Sequence, residues 1–121
     1  MSDKKTLLIV DDSTVSRMMI KAIISKKQPN WELLEAADGQ AALETCQGKD
    51  IDYFSVDLNM PGIDGLELIR QLKPDYPDAR MALLTANIQD ATHQKAKSMD
   101  IQCINKPITE DSITQMIEVF I

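Results

Sequence analysis

The sequence predicts an open, doubly wound α/β fold in which a five-stranded parallel sheet carries helices on both faces. Two observations support this prediction: five short apolar runs alternate with segments of helical periodicity, and the connections between them are short. Strict alternation of strands and helices is typical of parallel sheets that are covered on both sides. At 121 residues, the chain is too short for an eight-stranded α/β barrel, which needs about 250 residues.

The first strand and the first helix can be read from the start of the chain. Leu7–Val10 is a continuous apolar run, as expected of a strand that is buried on both faces. Ser13 or Thr14 can cap the helix that follows, and Pro29 ends it. The apolar residues that recur at helical spacing along this helix are Val15, Met18, Met19, Ala22 and Ile23.

The remaining elements are recognised by the same signals. Glycine and proline residues mark the turns, and short apolar runs between turns mark the strands. Thr109 can cap the last helix. The expected strands are Trp31–Ala36, Ile51–Val56, Met81–Leu84 and Ile101–Ile104, and the expected helices are Gln40–Gln47, Leu66–Leu72, Ala91–Met99 and Thr109–Phe120.

The composition limits the classes of function. A net charge of −6 argues against a nucleic-acid surface, because phosphate binding needs clustered Lys and Arg. Cys46 and Cys103 lack the spacing of metal or redox motifs, so we expect two reduced thiols. The apolar run near the start of the chain is too short for a signal-peptide core or a membrane span. We therefore expect a cytoplasmic protein that contacts neither nucleic acid nor membrane directly.

Polar residues follow four of the predicted strands. Asp11 and Asp12 come after the first strand, Asp57 after the third, Thr85 after the fourth and Lys106 after the fifth. In an open α/β sheet the carboxyl ends of the parallel strands meet at one edge, and ligands bind at that edge. Carboxylates, a hydroxyl and an ammonium gathered there would suit a divalent metal ion and a phosphoryl group.

The three aspartates are candidates for phosphoryl chemistry. A carboxylate that directly follows a buried strand is held in place yet reachable, so Asp57 can act as a nucleophile and form an aspartyl phosphate. Crowded carboxylates such as Asp11 and Asp12 repel each other unless a cation lies among them, and Mg²⁺ prefers oxygen ligands. The alternative is structural: Asp57 can begin a loop, and Asp11 or Asp12 can cap the first helix.

Thr85 and Lys106 are candidates for contacts with a phosphoryl group. The Thr85 hydroxyl can donate a hydrogen bond, and the Lys106 ammonium can act as a point charge. The alternatives are an ordinary strand-end threonine and a solvated surface lysine. Pro107 leaves both the cis and the trans isomer of the Lys106–Pro107 bond open.

Four motifs together resemble the receiver domain of two-component signalling, of the CheY-like type, over a range from about Lys5 to Phe120. The motifs are Val10-Asp11-Asp12-Ser13, Val56-Asp57-Leu58-Asn59-Met60-Pro61-Gly62-Ile63-Asp64-Gly65, Leu84-Thr85-Ala86 and Lys106-Pro107. The resemblance implies a flavodoxin-like fold with strand order 2-1-3-4-5, which places the first and third strands side by side.

The same resemblance implies a phosphorylation-dependent signalling switch. By this resemblance the protein would not be an enzyme beyond accepting and hydrolysing its own phosphoryl group. Asp57 would accept that group from a phosphohistidine of a sensor histidine kinase or a phosphotransfer protein. Asp12 and Asp57 would bind Mg²⁺ through their side chains, Asn59 through its backbone carbonyl and Asp11 through water.

By the same resemblance, Thr85 and Lys106 would contact the phosphoryl group, and the surface presented to a downstream protein would then change. Three residues before Lys106 the family usually carries Tyr or Phe, whereas this chain has Cys103. We therefore expect a weak response at the last strand and helix. Two alternatives stay open: an interaction module that keeps the fold without the chemistry, and a phosphatase with a nucleophilic aspartate.

The chain shows no repeat, low-complexity tract or flexible linker. We expect residues 1–121 to form one receiver domain, either as a stand-alone protein or as part of a longer regulator. Its oligomeric state is open between a monomer and a phosphorylation-dependent dimer.

Overall fold

The computed structural model describes residues 4–86 and 90–121, with side chains described from Gln94 onward in the helix that begins at Asp90. Within these residues it contains the five strands and five helices expected from the sequence. The strands are β1 (Thr6–Val10), β2 (Glu32–Ala36), β3 (Tyr53–Asp57), β4 (Arg80–Thr85) and β5 (Gln102–Asn105). The helices are α1 (Thr14–Lys27), α2 (Gly39–Cys46), α3 (Gly65–Leu72), α4 (Asp90–Ser98) and α5 (Glu110–Phe120).

The five strands form one parallel sheet in the order β2-β1-β3-β4-β5, which confirms the expected topology. Val10 of β1 pairs with Val56 of β3, and Asp57 pairs with Leu84 of β4. Because β1 and β3 are neighbours, the residue that follows Val10 lies beside Asp57 at the carboxyl edge. The topology therefore brings together site residues that are far apart in the chain.

Side chains of the central strands alternate between two apolar layers, as the pleat of a strand requires. Leu8 and Val10 pack with α2 and α3 on one face, and Leu7 and Ile9 pack with α1 and α5 on the other. All four are almost completely buried, and burying such a side chain contributes about 1.5–3 kcal/mol. Two packed layers thus hold the carboxyl ends of the strands in fixed positions.

The core-facing side of α1 differs from the one that its apolar spacing suggested. Val15 and Met18 are 65% and 63% exposed, and Met19 is also exposed. Ile20 and Ile24, one helical turn apart, are buried against the sheet instead. Apolar residues cover more than one face of this helix, so spacing alone fits two orientations, and packing on the sheet selects one.

Side-chain caps position the helices that leave the carboxyl edge. Ser13 caps α1 by accepting a hydrogen bond from the Ser16 amide at 3.2 Å, which decides between the two candidate caps. Asp64 caps α3 in the same way, accepting from the Glu67 amide at 2.9 Å. Thr109 caps α5, as expected. These caps satisfy amides that would otherwise lack partners at the first turn of each helix.

An aromatic cluster lies at the opposite edge of the sheet, where the strands begin. The rings of Trp31 and Tyr53 have centroids 4.8 Å apart, and Tyr53 stacks on Phe120 at 4.8 Å. Trp31 precedes β2, Tyr53 begins β3 and Phe120 ends α5. The cluster therefore joins the sheet to the last helix at the edge remote from Asp57.

Both cysteines are free thiols; Cys46 is buried and Cys103 is partly buried. In the described part of the chain, no helix combines the length and the apolar character needed to cross a bilayer.

Candidate functional site

The backbone of the sheet fixes the residues at its carboxyl edge. The Asp11 amide donates to the Ala36 carbonyl at 3.1 Å, and the Leu58 amide donates to the Leu84 carbonyl at 2.9 Å. The Lys106 amide donates to the carbonyl of Thr85 at 3.0 Å. These bonds carry the parallel ladders one step past the strand ends, so the polar residues there have little backbone freedom.

Three carboxylates converge at this edge, as the topology requires. Asp11, Asp12 and Asp57 each place a carboxylate oxygen within 4.8 Å of the others, and we call these three residues the acidic cluster. Asp11 and Asp57 are 1% and 5% exposed, whereas Asp12 is open to solvent. Three hard oxygen donors on one open-sided cluster fit Mg²⁺, which binds a few carboxylates and keeps several waters.

Lys106 places its ammonium inside the acidic cluster. Its Nζ atom lies 3.2 Å from Asp57 Oδ1 and 3.3 Å from Asp11 Oδ2. The other oxygen of Asp11 accepts a hydrogen bond from the Ser13 amide at 2.9 Å. Both oxygens of Asp11 are therefore engaged within the protein.

One ammonium does not neutralise three carboxylates. Burial raises the pKa of Asp57, and the charge of Asp11 raises it further, against the attraction of Lys106. Burial disfavours the Lys106 ammonium, but the charges of Asp11 and Asp57 outweigh this and raise the pKa of Lys106. The site thus keeps an excess of negative charge, which a divalent cation would balance.

The remaining expected site residues lie around this cluster. Thr85 ends β4 and is completely buried, opposite Asn105 of β5. Asn59 is exposed in the segment between β3 and α3, two residues beyond Asp57. The Lys106–Pro107 bond is cis.

Cys103, at the position where an aromatic is usual, lies on β5 opposite Leu83. Its side chain is partly buried, and burial raises the pKa of its thiol. A small apolar group therefore takes the place of a ring in this part of the sheet.

The backbone of Asp57 passes so close to the start of α3 that only glycine fits there, at Gly65. A Cβ atom on Gly65 would lie 2.4 Å from the carbonyl oxygen of Asp57 and 2.8 Å from Leu83 Cδ1. The Gly65 amide also donates to the Leu58 carbonyl at 2.9 Å. The residue directly supports the backbone of Asp57, and a side chain here would push α3 away from β3.

We expect Gly65→Ala to lower the free energy of unfolding by about 1–3 kcal/mol, the usual cost of overpacking. The loss should occur although alanine favours helices, because the contact with Asp57 is with backbone. Urea denaturation measures the change. Gln71→Ala is the control, since Gln71 is exposed on the same helix and surface substitutions usually change stability by less than about 0.5 kcal/mol. Equal unfolding midpoints for wild type and Gly65→Ala would contradict the role assigned to this glycine.

One residue that contacts this site, Arg17, was not predicted from the sequence. Arg17, on the first turns of α1, donates from Nη1 to the main-chain carbonyl of Asp11 and from Nε to Glu35 Oε1 at 3.1 Å. An arginine on an amphipathic helix is ordinarily a solvated charge. Only the pairing of β1 with β2 brings Glu35 close enough to reveal the contact.

Comparison with known proteins gives consistent matches. The family model for the response regulator receiver domain matches residues 7–118. The chemotaxis protein CheY of Listeria monocytogenes is 33% identical over 118 residues, covering 93% of this chain and 94% of that protein.

Two longer relatives match over most of this chain. The sensor protein EvgS of Escherichia coli is 33% identical over 110 residues, which is 90% of this chain but 9% of EvgS. The cyclic di-GMP phosphodiesterase response regulator RpfG of Xanthomonas campestris is 31% identical over 105 residues, covering 84% of this chain and 28% of RpfG. The chain therefore spans a small part of these two proteins.

Solved structures match over nearly the whole fold. The chemotaxis protein CheY4 of Vibrio cholerae has a TM-score of 0.88 at 24% identity, covering 98% of this chain and 99% of that one. The response regulator TrrA of Thermotoga maritima, solved in complex with Mg(2+)-BeF, has a TM-score of 0.83 at 26% identity, covering 97% and 99%.

Proposed function

The chain belongs to the response regulator receiver domain family, and from this premise we propose that it is a phosphorylation-dependent switch whose phosphoacceptor is Asp57. One observation carries the proposal: Asp57 is buried among two further carboxylates and an ammonium, 3.2 Å from Lys106 Nζ. Phosphoryl transfer depends mainly on positioning and charge neutralisation. The site supplies a held nucleophile and one cation, Lys106, for the incoming negative charge, and a bound Mg²⁺ would add to it.

The phosphoryl donor in this proposal is a phosphohistidine on a sensor histidine kinase or a phosphotransfer protein. In the transfer, an oxygen of Asp57 forms a bond to phosphorus while the bond from phosphorus to the imidazole nitrogen breaks. The exposed apolar start of α1, with Val15 and Met18, comes a few residues after Asp12 in the chain and would offer a protein donor an apolar contact. The match to a sensor protein is in keeping with such a partner.

The acidic cluster would hold Mg²⁺, which would neutralise charge on the transferring group. Asp12 and Asp57 would bind it through their side chains, Asn59 through its main-chain carbonyl and Asp11 through water. The two hydrogen bonds that already engage the oxygens of Asp11 favour such an indirect contact. The complex of the similar protein TrrA with Mg(2+)-BeF supports the proposal of a Mg²⁺ site.

Phosphorylation would act through Thr85 and Lys106. Once Asp57 carries a phosphoryl group, Lys106 can pair with the new oxygens and the Thr85 hydroxyl can donate to them. These contacts exist in only one state of the protein, which is the condition for shifting a conformational equilibrium. Cys103 lacks the bulk of a ring, so the response at β5 and α5 should be weak.

Residues 1–121 would act as one receiver domain in the cytoplasm, passing the signal to a downstream protein without contacting nucleic acid or membrane directly. A monomer and a phosphorylation-dependent dimer both fit the proposal.

The experiment that tests the function is incubation of the full chain with acetyl phosphate and Mg²⁺, followed by intact-mass measurement. We expect one phosphoryl group per chain, and none when EDTA replaces Mg²⁺. Absence of labelling in Mg²⁺ would favour an interaction module without chemistry. Repeated turnover of a phosphate ester would favour a phosphatase.

A further inference from the structure

We infer that Arg17 is a positioning residue for the acidic cluster: its guanidinium holds the peptide unit between Asp11 and Asp12 in the orientation that metal binding requires. This inference rests on the proposed function, because it concerns the Mg²⁺ that the cluster would hold. It adds a residue outside the motifs that the sequence singled out.

Three contacts place the Arg17 guanidinium against the loop that follows β1. Nη1 donates to the main-chain carbonyl of Asp11, Nη2 donates to Thr14 Oγ1 at 3.3 Å, and Nε donates to Glu35 Oε1 at 3.1 Å. The side chain is only 13% exposed. Arg17 therefore connects α1, the loop between β1 and α1, and β2 through a single planar group.

The carbonyl that Arg17 binds belongs to the peptide unit that joins two members of the acidic cluster. A peptide unit is planar, so fixing this oxygen also fixes the amide of Asp12 and the direction in which the chain leaves β1. The Asp11 amide is already bound to Ala36 of β2. Because the amide and the carbonyl of Asp11 are both hydrogen-bonded, the backbone of Asp12 is fixed although its side chain is exposed.

Glu35 orients the guanidinium. One oxygen of Glu35 accepts from Arg17 Nε, and the other accepts from Lys21 Nζ at 2.8 Å. The hydrogen bond from Lys21, together with that from Arg17, lowers the pKa of Glu35 and keeps it a carboxylate. Glu35 lies on β2 opposite Ile9 of β1, so the sheet itself carries the orienting group to the loop.

Position, rather than charge, must explain any benefit that Arg17 brings to metal binding. A guanidinium next to a cation site repels the cation, so removing its charge alone would strengthen Mg²⁺ binding. Loss of the hold on the peptide unit would weaken it. The two effects have opposite signs, which makes the inference directly testable.

The test is a titration of the full chain with MgCl₂, followed by amide shifts in ¹H–¹⁵N spectra, for wild type, Arg17→Met and Arg17→Lys. We expect both variants to bind Mg²⁺ about 10-fold more weakly, the lower end of the range for residues that orient metal ligands. Arg17→Lys keeps the charge but loses the planar fork that reaches three acceptors. Saturating Mg²⁺ should restore most of the rate of labelling by acetyl phosphate.

Arg70→Met is the matched control, because Arg70 pairs with Glu67 at 3.5 Å on the exposed side of α3 and should leave Mg²⁺ affinity unchanged. Wild-type affinity in both Arg17 variants, or tighter binding in Arg17→Met, would overturn the inference while leaving the proposed function intact. A wild-type chain that neither binds Mg²⁺ nor becomes labelled would overturn both. Urea unfolding of each variant separates a change in affinity from a loss of fold.

Discussion

Asp57→Asn is expected to reduce phosphoryl uptake from acetyl phosphate to background, whereas the wild-type chain takes up one group in the presence of Mg²⁺. The amide of asparagine is close in size to the carboxylate but is a poor nucleophile and a weaker metal ligand. Asp57 is buried and fixed by the ladder between β3 and β4. Asp11 and Asp12 lie after β1 rather than at the end of β3, so neither should accept the phosphoryl group in place of Asp57.

Asp64→Asn provides the matched control for that experiment. Asp64 lies in the segment between β3 and α3 and caps α3, and asparagine caps helices as well as aspartate does. This variant should be labelled like the wild type. Equal labelling of Asp57→Asn and wild type, measured by intact mass under identical conditions, would refute Asp57 as the phosphoacceptor.

Lys106→Met should lower the free energy of unfolding at neutral pH, without Mg²⁺, by about 1–2 kcal/mol. Removing one partner of a fully buried ion pair costs about 3–5 kcal/mol, and the side chain of Lys106 retains 21% exposure, so the cost should be smaller. The loss arises because Asp11 and Asp57 would repel each other without the ammonium between them. Urea denaturation of both proteins measures the difference.

The difference in the free energy of unfolding between wild type and Lys106→Met should depend on pH. Asp57 has a pKa raised above 3.8, and below that raised value its protonated carboxyl no longer needs a cation. Lys106 has a pKa raised above 10.5, so its contribution is present below 10.5 and is lost as pH rises through the raised value. The difference should therefore be largest between the two raised pKa values and should shrink on both sides. Adding Mg²⁺ should reduce it as well.

The exposed Lys49 supplies the control for Lys106, because Lys49→Met removes the same charge far from the acidic cluster. Its unfolding free energy should stay within about 0.5 kcal/mol of the wild type, as is usual for surface substitutions. A Lys106→Met protein as stable as the wild type across the whole pH range would contradict the proposed electrostatic role.

Most of the fold could be predicted from local patterns, because buried parallel strands read as short apolar runs. Leu7–Val10 was recognised in this way, and β1 includes only one further residue, Thr6. The order of the strands in the sheet cannot be read from local patterns, since it depends on which runs pair with each other. It came from the resemblance to receiver domains, and the sheet order confirms it.

The gathering of site residues was predictable for a related reason. Asp57 ends β3, and Asp11 and Lys106 directly follow β1 and β5. Parallel strands end at the same edge of a sheet, so the proximity of these residues follows from the topology. The roles of these residues are a separate matter, because proximity alone does not distinguish a nucleophile from a structural carboxylate. Those roles remain predictions that the substitutions above would test.

Features that depend on packing between elements were beyond sequence reasoning. On α1, apolar residues cover more than one face, so periodicity did not distinguish Ile20 from Met18 as the core contact. The contact of Arg17 with Glu35 joins residues 18 positions apart, which become neighbours only once β1 and β2 pair. In the sequence Gly65 only marks a turn, whereas in the fold its closeness to Asp57 is what requires glycine there.

The aromatic cluster at the far edge of the sheet has a spectroscopic consequence. Trp31 is the one tryptophan of the chain, and its neighbour Tyr53 begins the strand that ends at Asp57. Four steps along a strand separate the two ends by about 13 Å. The fluorescence emission of Trp31 should therefore change when the edge of the sheet where the strands begin unfolds. It should stay nearly constant when Asp57 is modified. The protein thus carries a built-in optical probe that reports folding separately from signalling.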